Sequence, residues 1–312
     1  MRESRGRNQL IQGFSKLSLS EKLDFVADMV NNREKFLSDV EQHMHPDPAI
    51  QQRYHTISEN TISNYYLPFG IAPNFLVNGE IYHVPMVTEE TSVIAAAAAG
   101  AKFWSNRGGF HSTIINTTKK GQVHFQWSGN PEKLHDFFSR VRKRLFLELE
   151  PLIINMRKRG GGMKKAELRY LPEILRNYYQ IDIDFDTADS MGANFINSVL
   201  ELLAQKWKLY VRDNKDLNSD ERDIRIIMSI VSNYTPDCIA YCFVEAPVSD
   251  MDKNTSELFS NAFKIAYLDF GRAVTHNKGI FNGIDALMMA TGNDFRAIEA
   301  CGHAFAARNG NY

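Results

Sequence analysis

Pro85-Met86-Val87-Thr88-Glu89-Glu90-Thr91-Ser92-Val93-Ile94-Ala95-Ala96-Ala97-Ala98-Ala99 joins an extended segment to a helix of very small residues. Two adjacent carboxylates stand at the handover. Small side chains let a ligand or another backbone come close. A carboxyl at the mouth of such a helix is a proton-donor candidate where the surroundings are dry. The competing reading is structural: acidic residues suit a first helical turn, where they meet the helix dipole.

Upstream, Phe75 to Val84 reads as a hairpin, with Asn78-Gly79 supplying the positive φ angles of a two-residue turn. Earlier still, Ser18-Leu19-Ser20-Glu21 is a capping box ahead of Leu23, Val26 and Val30 at helical spacing. His45-Pro46-Asp47-Pro48 breaks the chain, and a second helix is expected from Ala49 towards Tyr65. Downstream, the small-residue helix runs from Ser92 to Trp104. The character changes at Asn106-Arg107-Gly108-Gly109. Two short strands are expected, His111 to Thr118 and Gln122 to Trp127, joined by a Lys119-Lys120-Gly121 turn. Asn130-Pro131 starts a helix whose apolar stripe is Leu134, Phe137, Phe138, Val141, Leu145 and Leu149. The Gly160-Gly161-Gly162 loop leads to strands Glu167 to Leu171 and Tyr178 to Phe185, then a helix from Met191 to Trp207. The polar stretch Arg212 to Glu221 reads as a return link. After it come a helix (Ile224 to Val231), a strand (Cys238 to Val244), a helix (Ser256 to Phe270) and a Gly- and Ala-rich helical tail. In that tail Ile280, Ile284, Leu287 and Met288 are spaced as a core-facing stripe. The fold class is α+β. A larger, mainly helical domain (1–106 and 208–312) carries a small inserted α/β domain (107–207).

Composition excludes several classes. The 312 residues are 44% hydrophobic and 23% charged, with 36 Lys+Arg against 37 Asp+Glu. That balance gives no bulk attraction to nucleic acid or to an anionic membrane. No apolar run reaches the roughly 18 residues of a bilayer span. The N-terminal Met1 to Gln12 is polar, without the apolar centre of a signal peptide. Cys238, Cys242 and Cys301 have neither disulfide-framework nor zinc spacing, so no metal is expected and a reducing cytoplasm is the simplest inference.

There is no GxGxxG, no GxxxxGK[ST] and no HExxH. Asp189-Ser190-Met191-Gly192-Ala193-Asn194 instead stands at a strand-to-helix junction. Asp189 suits the N-cap, and Gly192 would let an anion approach backbone N–H groups; a plain capped helix reads equally well. Arg272, Thr275, His276, Asn277, Lys278, Gly279 and Asn282 cluster polar and permissive positions, followed by Thr291-Gly292-Asn293-Asp294. A buried Lys near a carboxylate is a candidate electrophile for a carbonyl oxygen; the bland alternative is a solvated helix start and a C-cap at Gly292. Arg157-Lys158-Arg159 with Lys164-Lys165 could hold phosphate or nucleic acid, although such runs are more often solvated surface.

Together these segments resemble the hydroxymethylglutaryl-CoA reductase family in its soluble, bacterial class II form. Glu59-Asn60-Thr61-Ile62-Ser63 with Leu67-Pro68-Phe69-Gly70 is similar to the family's ENxIG…LPxG substrate segment. Pro85 to Ser92 is similar to its catalytic-glutamate segment, and Asp189 to Asn194 to its DAMGxN dinucleotide motif. Thr275 to Gly279 and Thr291 to Asp294 are similar to its catalytic Lys and Asp motifs. The resemblance implies an oxidoreductase that converts 3-hydroxy-3-methylglutaryl-CoA to mevalonate and CoA with two NADPH or NADH, or runs the reverse. It implies Glu90 as proton donor, Lys278 as stabiliser of the thioester oxyanion, and Asp294 as the group that tunes both. Glu59, Asn60, Ser92, Arg272 and Asn282 would contact substrate. Asp189, Met191, Gly192 and Asn194 would contact the dinucleotide. It also implies a ferredoxin-like rather than Rossmann small domain, and a homodimer with the active site at its interface.

Three departures shape the expectations. Ser63 replaces the glycine of ENxIG, and Ser190 the alanine of DAMGxN. The family continues past the position of Tyr312 into a mobile segment with a catalytic histidine and a Gly-rich cofactor contact. The chain as given is therefore expected to bind ligand better than it turns over; the alternative is a catalytically impaired CoA-thioester-binding fragment or homologue. One conflict is internal. A straight helix over 280–291 would hold Lys278 and Asp294 roughly 16–18 Å apart, unless Gly279 and Gly283 bend it.

Overall fold

The computed structural model describes residues 10–312. Most of the polar stretch Met1 to Gln12 lies outside them. The boundary between two compact units falls after Pro68.

The first unit is helical: α1 (Leu19–Ala27), α2 (Arg33–Gln42) and α3 (Pro48–Ile57). The capping box opens α1, with Glu21 N–H donating to Ser18 Oγ and Ser18 N–H to Glu21 Oε2. Asp47 caps α3, which has Pro48 in its first turn. This helix stops at Ile57 instead of running towards Tyr65. Ser58 turns extended, and Asn60 adopts a left-handed φ of 60°, a conformation that Asn tolerates better than most residues. Ser63, the first departure, donates from Oγ to Val40 O at 2.8 Å. Its hydroxyl is thus used inside this unit.

The second unit begins with the hairpin β1 (Phe69–Val77) and β2 (Glu80–Val87), and α4 (Val93–Ser105) follows. Val77 pairs with Glu80 across Asn78 (φ 51°) and Gly79 (φ 87°), the expected left-handed pair. Next comes β3 (His111–Trp127), a single strand of 17 residues. No turn interrupts it at Lys119-Lys120-Gly121. Those residues pair in unbroken register with Phe185, Asp184 and Ile183. Lys120 bridges Asp184 and Asp237 at 3.0 and 3.1 Å. A Cβ on Gly121 would lie 2.7 Å from Leu200 Cδ1, so the glycine makes room for a helix rather than for a turn.

After β3 come α5 (Pro131–Leu147), α6 (Glu150–Lys158), β4 (Gly162–Tyr170), β5 (Tyr178–Asp186), α7 (Ala193–Arg212), β6 (Ile224–Val231) and β7 (Cys238–Phe243). The expected helix over Ile224 to Val231 is therefore a strand. Its β-branched residues suit a pleated surface, and it fills the free edge of β3, pairing Ile224 with Trp127 and Val231 with Gly121. The antiparallel order β4-β5-β3-β6 is that of a βαββαβ ferredoxin-like sandwich. Its fourth strand lies beyond the expected boundary at 207, and the Arg212 to Glu221 link leads back into the sheet. Trp127 Nε1 donates to Glu221 O, and Lys133 pairs with Glu221 at 2.7 Å, which seats that link.

One sheet face and the helices enclose the main core. Phe125 and Trp127 of β3, Ile181, Ile183 and Phe185 of β5, and Val199, Leu203 and Trp207 of α7 are at most 1% exposed. The N-terminal half of β3 leaves this sandwich and pairs with β7. The chain ends in α8 (Lys253–Leu268), α9 (Phe270–Ala290) and α10 (Phe295–Ala306). The expected core stripe of α9 is not its core. Ile280 is 49% exposed, and the buried positions are Ala273, Phe281 and Ala286. Ala286 packs with Ala72 and Met86 of the hairpin, which docks α9 onto β1, β2 and α4. Among the described residues no helix is long and apolar enough to cross a membrane.

Candidate active site

Docking α9 on the hairpin brings two distant acid–base groups together. Glu90 lies in the turn between β2 and α4, where its N–H donates to Thr88 Oγ1 at 3.1 Å. Lys278 lies midway along α9. Its Nζ donates to Glu90 Oε2 at 2.5 Å, and Asn282 Nδ2 reaches the same oxygen at 3.4 Å. Lys278 and Asn282 are four residues apart, so they share one helix face. The side chains of Glu90 and Lys278 keep 47% and 59% of their accessible surface. A single chain thus builds the pair and leaves one side open.

The other expected residues lie on separate elements. Ser92 is the residue before α4, in a left-handed conformation (φ 74°), and its hydroxyl does not cap the helix. A non-glycine residue held there costs about 1–3 kcal/mol, a cost concentrated at ligand sites. Arg272 lies in the first turn of α9, its N–H bound to Asp269 Oδ1 at 2.6 Å. Glu59 and Asn60 form the exposed turn after α3 in the first unit.

Asp294 does not join Lys278 within this chain. Gly279 and Gly283 neither delay nor interrupt α9, which runs unbroken from Phe270 to Ala290. Twelve helical residues beyond Lys278 span about 18 Å. Asp294 caps α10 instead, with Oδ1 accepting from Ala297 N at 3.1 Å. The geometric conflict seen in the sequence is real for one chain.

The second cluster surrounds the Asp189 to Asn194 segment. Asp189 is not the cap of α7: Gly192 takes that position at φ 75°, with no side-chain acceptor. The first-turn N–H groups of this 20-residue helix lack a side-chain cap, an arrangement suited to an anion. Ser190, the second departure, donates from Oγ to Thr187 O at 2.8 Å and tightens the turn. Asp189 instead pairs with Arg159 of the glycine loop. The loop fits closely here, because a Cβ on Gly161 would lie 2.5 Å from Asp186 O. The remaining basic residues are also largely neutralised: Arg157 by Glu150, Lys164 by Asp186 and Lys165 by Glu167. Lys164 and the hydrogen bonds from Ala188 and Thr117 hold the Asp186 carboxyl below the usual range despite some burial.

A cavity of about 560 Å³ opens beside this turn, within the size range of small-molecule and cofactor sites. Lys119, Asp189, Met191, Cys238, Asn293 and Cys301 are among its lining residues. It therefore reaches from the dinucleotide-like motif to the residue before Asp294. The sequence reading missed Lys119, having assigned it to a turn. It also left Arg159 within an undifferentiated basic run. Only the pairing register reveals the first, and only the packing of the glycine loop the second.

A family model described as hydroxymethylglutaryl-coenzyme A reductase matches residues 18–310. The 3-hydroxy-3-methylglutaryl-coenzyme A reductase of Archaeoglobus fulgidus is 34% identical over 98% of this chain and 67% of its own length. A probable reductase of the same name from Borreliella burgdorferi is 30% identical over 81% of the chain and 56% of its own length. The chain thus spans about two thirds or less of these curated relatives. Among solved structures, the Streptococcus pneumoniae reductase superposes with a TM-score of 0.72 at 33% identity, covering 96% of this chain and 79% of that one. A class II form of that enzyme, described as bound to NADPH in open conformations, matches equally well.

Proposed function

The chain belongs to the hydroxymethylglutaryl-coenzyme A reductase family, and from that premise we propose that it reduces 3-hydroxy-3-methylglutaryl-CoA to mevalonate and CoA, or runs the reverse. The observation that carries the reading is the 2.5 Å contact between Lys278 Nζ and Glu90 Oε2, made by residues 188 positions apart. Two reduced nicotinamides, bound in turn, would each supply one hydride to the thioester carbon, with CoA thiolate leaving between the two transfers. The chain's own groups handle charge and protons. Lys278 offers a fixed cation to the oxygen that becomes negative when the carbonyl is reduced, and such stabilisation is strongest once water is excluded. Glu90, held beside Lys278, would face the same oxygen and in its protonated form hand it a proton. Asn282 and Ser92 orient the substrate, with Arg272 offering a cation to its free carboxylate.

The open side of the Glu90–Lys278 pair supports a second copy of the chain as its cover. Only Ala266 of α8 is buried, whereas Tyr267, Leu268 and Phe270 are 89%, 80% and 72% exposed. Apolar surface of that extent marks an interaction site. In this reading Asp294 arrives from the partner copy, alongside that copy's cofactor cavity, which resolves the 18 Å separation inside one chain. Asp189, Met191, Gly192 and Asn194 form the dinucleotide edge of the cavity, and the uncapped α7 N-terminus takes the pyrophosphate. For NADPH the Arg159 guanidinium would exchange its Asp189 partner for the 2′-phosphate, a group it suits, whereas NADH would leave that pair intact.

The test follows the loss of reduced-cofactor absorbance on adding the thioester. Oxidation of about two cofactor equivalents per thioester, lost in Glu90→Gln and Lys278→Met, is expected. Ready cofactor oxidation by both variants would overturn the reading.

A further inference from the structure

Lys119 belongs to β3, yet its side chain is committed to the turn ahead of α7. Its Nζ lies 2.6 Å from Thr187 Oγ1, 2.7 Å from Ser190 O and 2.9 Å from Met191 O. An ammonium group has three N–H donors, and this one turn can accept all three. The turn is also closed on itself. Thr187 Oγ1 donates to Ser190 O at 2.6 Å, and Ser190 N–H and Oγ both reach Thr187 O. Thr187 is 1% exposed, and a Cβ on Gly192 would stand 2.3 Å from its Cγ2.

The direction of these bonds matters. In a trans peptide the C=O and the following N–H point opposite ways. Drawing the carbonyls of Ser190 and Met191 onto Lys119 therefore turns the N–H groups of Met191 and Gly192 away from it, as donors for an anion. The ammonium also places a positive charge on the wall of the same cavity.

We propose that Lys119 is a positioning residue for dinucleotide binding: it fixes the Thr187–Met191 turn so that its backbone N–H groups and the α7 N-terminus meet the anionic bridge of the cofactor. The proposal rests on the dinucleotide reading of the cavity. Burial pulls the Lys119 ammonium below the usual lysine range, with Cys238 and Asp186 acting the other way. Holding a lysine in such surroundings is a cost that three well-made hydrogen bonds offset.

The experiment compares the full chain with Lys119→Met, which removes charge and donors at similar length, and with Lys119→Arg, which keeps the charge. Calorimetric titrations with NADPH and with the CoA thioester are read beside amide exchange at residues 188–192. Lys119→Met is expected to weaken NADPH about tenfold or more, the scale of a lost hydrogen bond to a charged donor. Thioester affinity should be unchanged, exchange at 188–192 faster, and Lys119→Arg intermediate. In turnover the loss should appear in KM for NADPH more than in kcat. NADPH affinity unchanged in Lys119→Met, or a parallel loss of both ligands, overturns the inference and leaves the dinucleotide reading standing. If the wild-type chain binds no dinucleotide while Lys119→Met still speeds exchange at 188–192, the dinucleotide reading fails and only the hold on the turn survives. Should Lys119→Met not fold, the Lys119→Arg ratio of NADPH to thioester affinity decides, and an unchanged ratio overturns the proposal.

Discussion

Lys278 and Glu90 make an ion pair whose structural value is small. Both side chains are about half exposed, and such pairs contribute about 0–1 kcal/mol to stability. Lys278→Met should therefore leave the thermal midpoint nearly unchanged while turnover falls about a hundredfold or more, the scale of a lost electrostatic stabiliser; thermal melts and rate assays on one preparation check this. Asp285 presents the opposite case. Its Oδ1 is buried with no hydrogen-bond partner among the described residues. Burial foremost, then the nearby Glu299 charge, pushes its carboxyl above the usual range, and His303 acts in the other direction. A raised aspartate pKa means that the folded state holds the proton longer than the unfolded one. Stability then falls as pH rises from the ordinary aspartate value towards the folded one, and stays lower above it. Asp285→Asn is thus expected to raise the melting temperature at neutral pH, with the advantage shrinking below about pH 4. An equal gain at both pH values would contradict the assignment.

At the scale of elements, β3 decides the small sandwich. The Lys-Lys-Gly sequence imitates a turn, and only the pairing partners on β5 show otherwise. Gly121→Val tests the strand. A side chain there meets Leu200 Cδ1 at 2.7 Å and Ile196 Cγ2 at 2.9 Å, so the variant should lose about 1–3 kcal/mol by overpacking; a solvent-facing turn would tolerate it in chemical denaturation. His124 extends the argument to the sheet's polar face, where its Nδ1 meets Tyr178 OH at 2.6 Å. Burial pulls the imidazole down, with Asp182 acting the other way. The associated stability is fully present above the ordinary histidine value of about 6.5 and is lost as pH falls through the folded value. Denaturation midpoints from pH 8 down to about pH 5 should show that loss in the wild type and a flatter profile in His124→Gln. Legibility varied between elements for physical reasons. Asn78-Gly79, Ser18 to Glu21 and Asn130-Pro131 carry their geometry locally and were readable. Ile224 to Val231 was not, because a short apolar run fits helix and strand alike until an unpaired edge claims it.

At the scale of the whole molecule, the sequence identified the parts of the candidate site better than their assembly. Glu90, Lys278 and Asn282 lie in compact segments, and α9 docking on the hairpin unites them. The role of Asp189 as a cap was misread, because Gly192 and the Lys119 bonds set that turn from another strand. The cavity beside that turn was invisible for the same reason, since its wall comes from β3, β7, α10 and the turn before α7. Cys238 and Cys301 line that cavity, whereas the exposed Cys242 is not among its lining residues. NADPH is therefore expected to slow alkylation of Cys238 and Cys301 but not of Cys242, as read by peptide mass spectrometry. Equal rates with and without NADPH would place the dinucleotide elsewhere.

The central claim is that Glu90 and Lys278 of one copy work with Asp294 of another. Subunit mixing tests it most directly: Lys278→Met and Asp294→Asn chains, each inactive alone, are dissociated, combined and reassociated. Hybrid dimers would carry one intact site and one doubly altered site, so roughly a quarter of wild-type activity should return. A mixture that contains hybrids by native mass spectrometry and stays inactive would contradict the shared site.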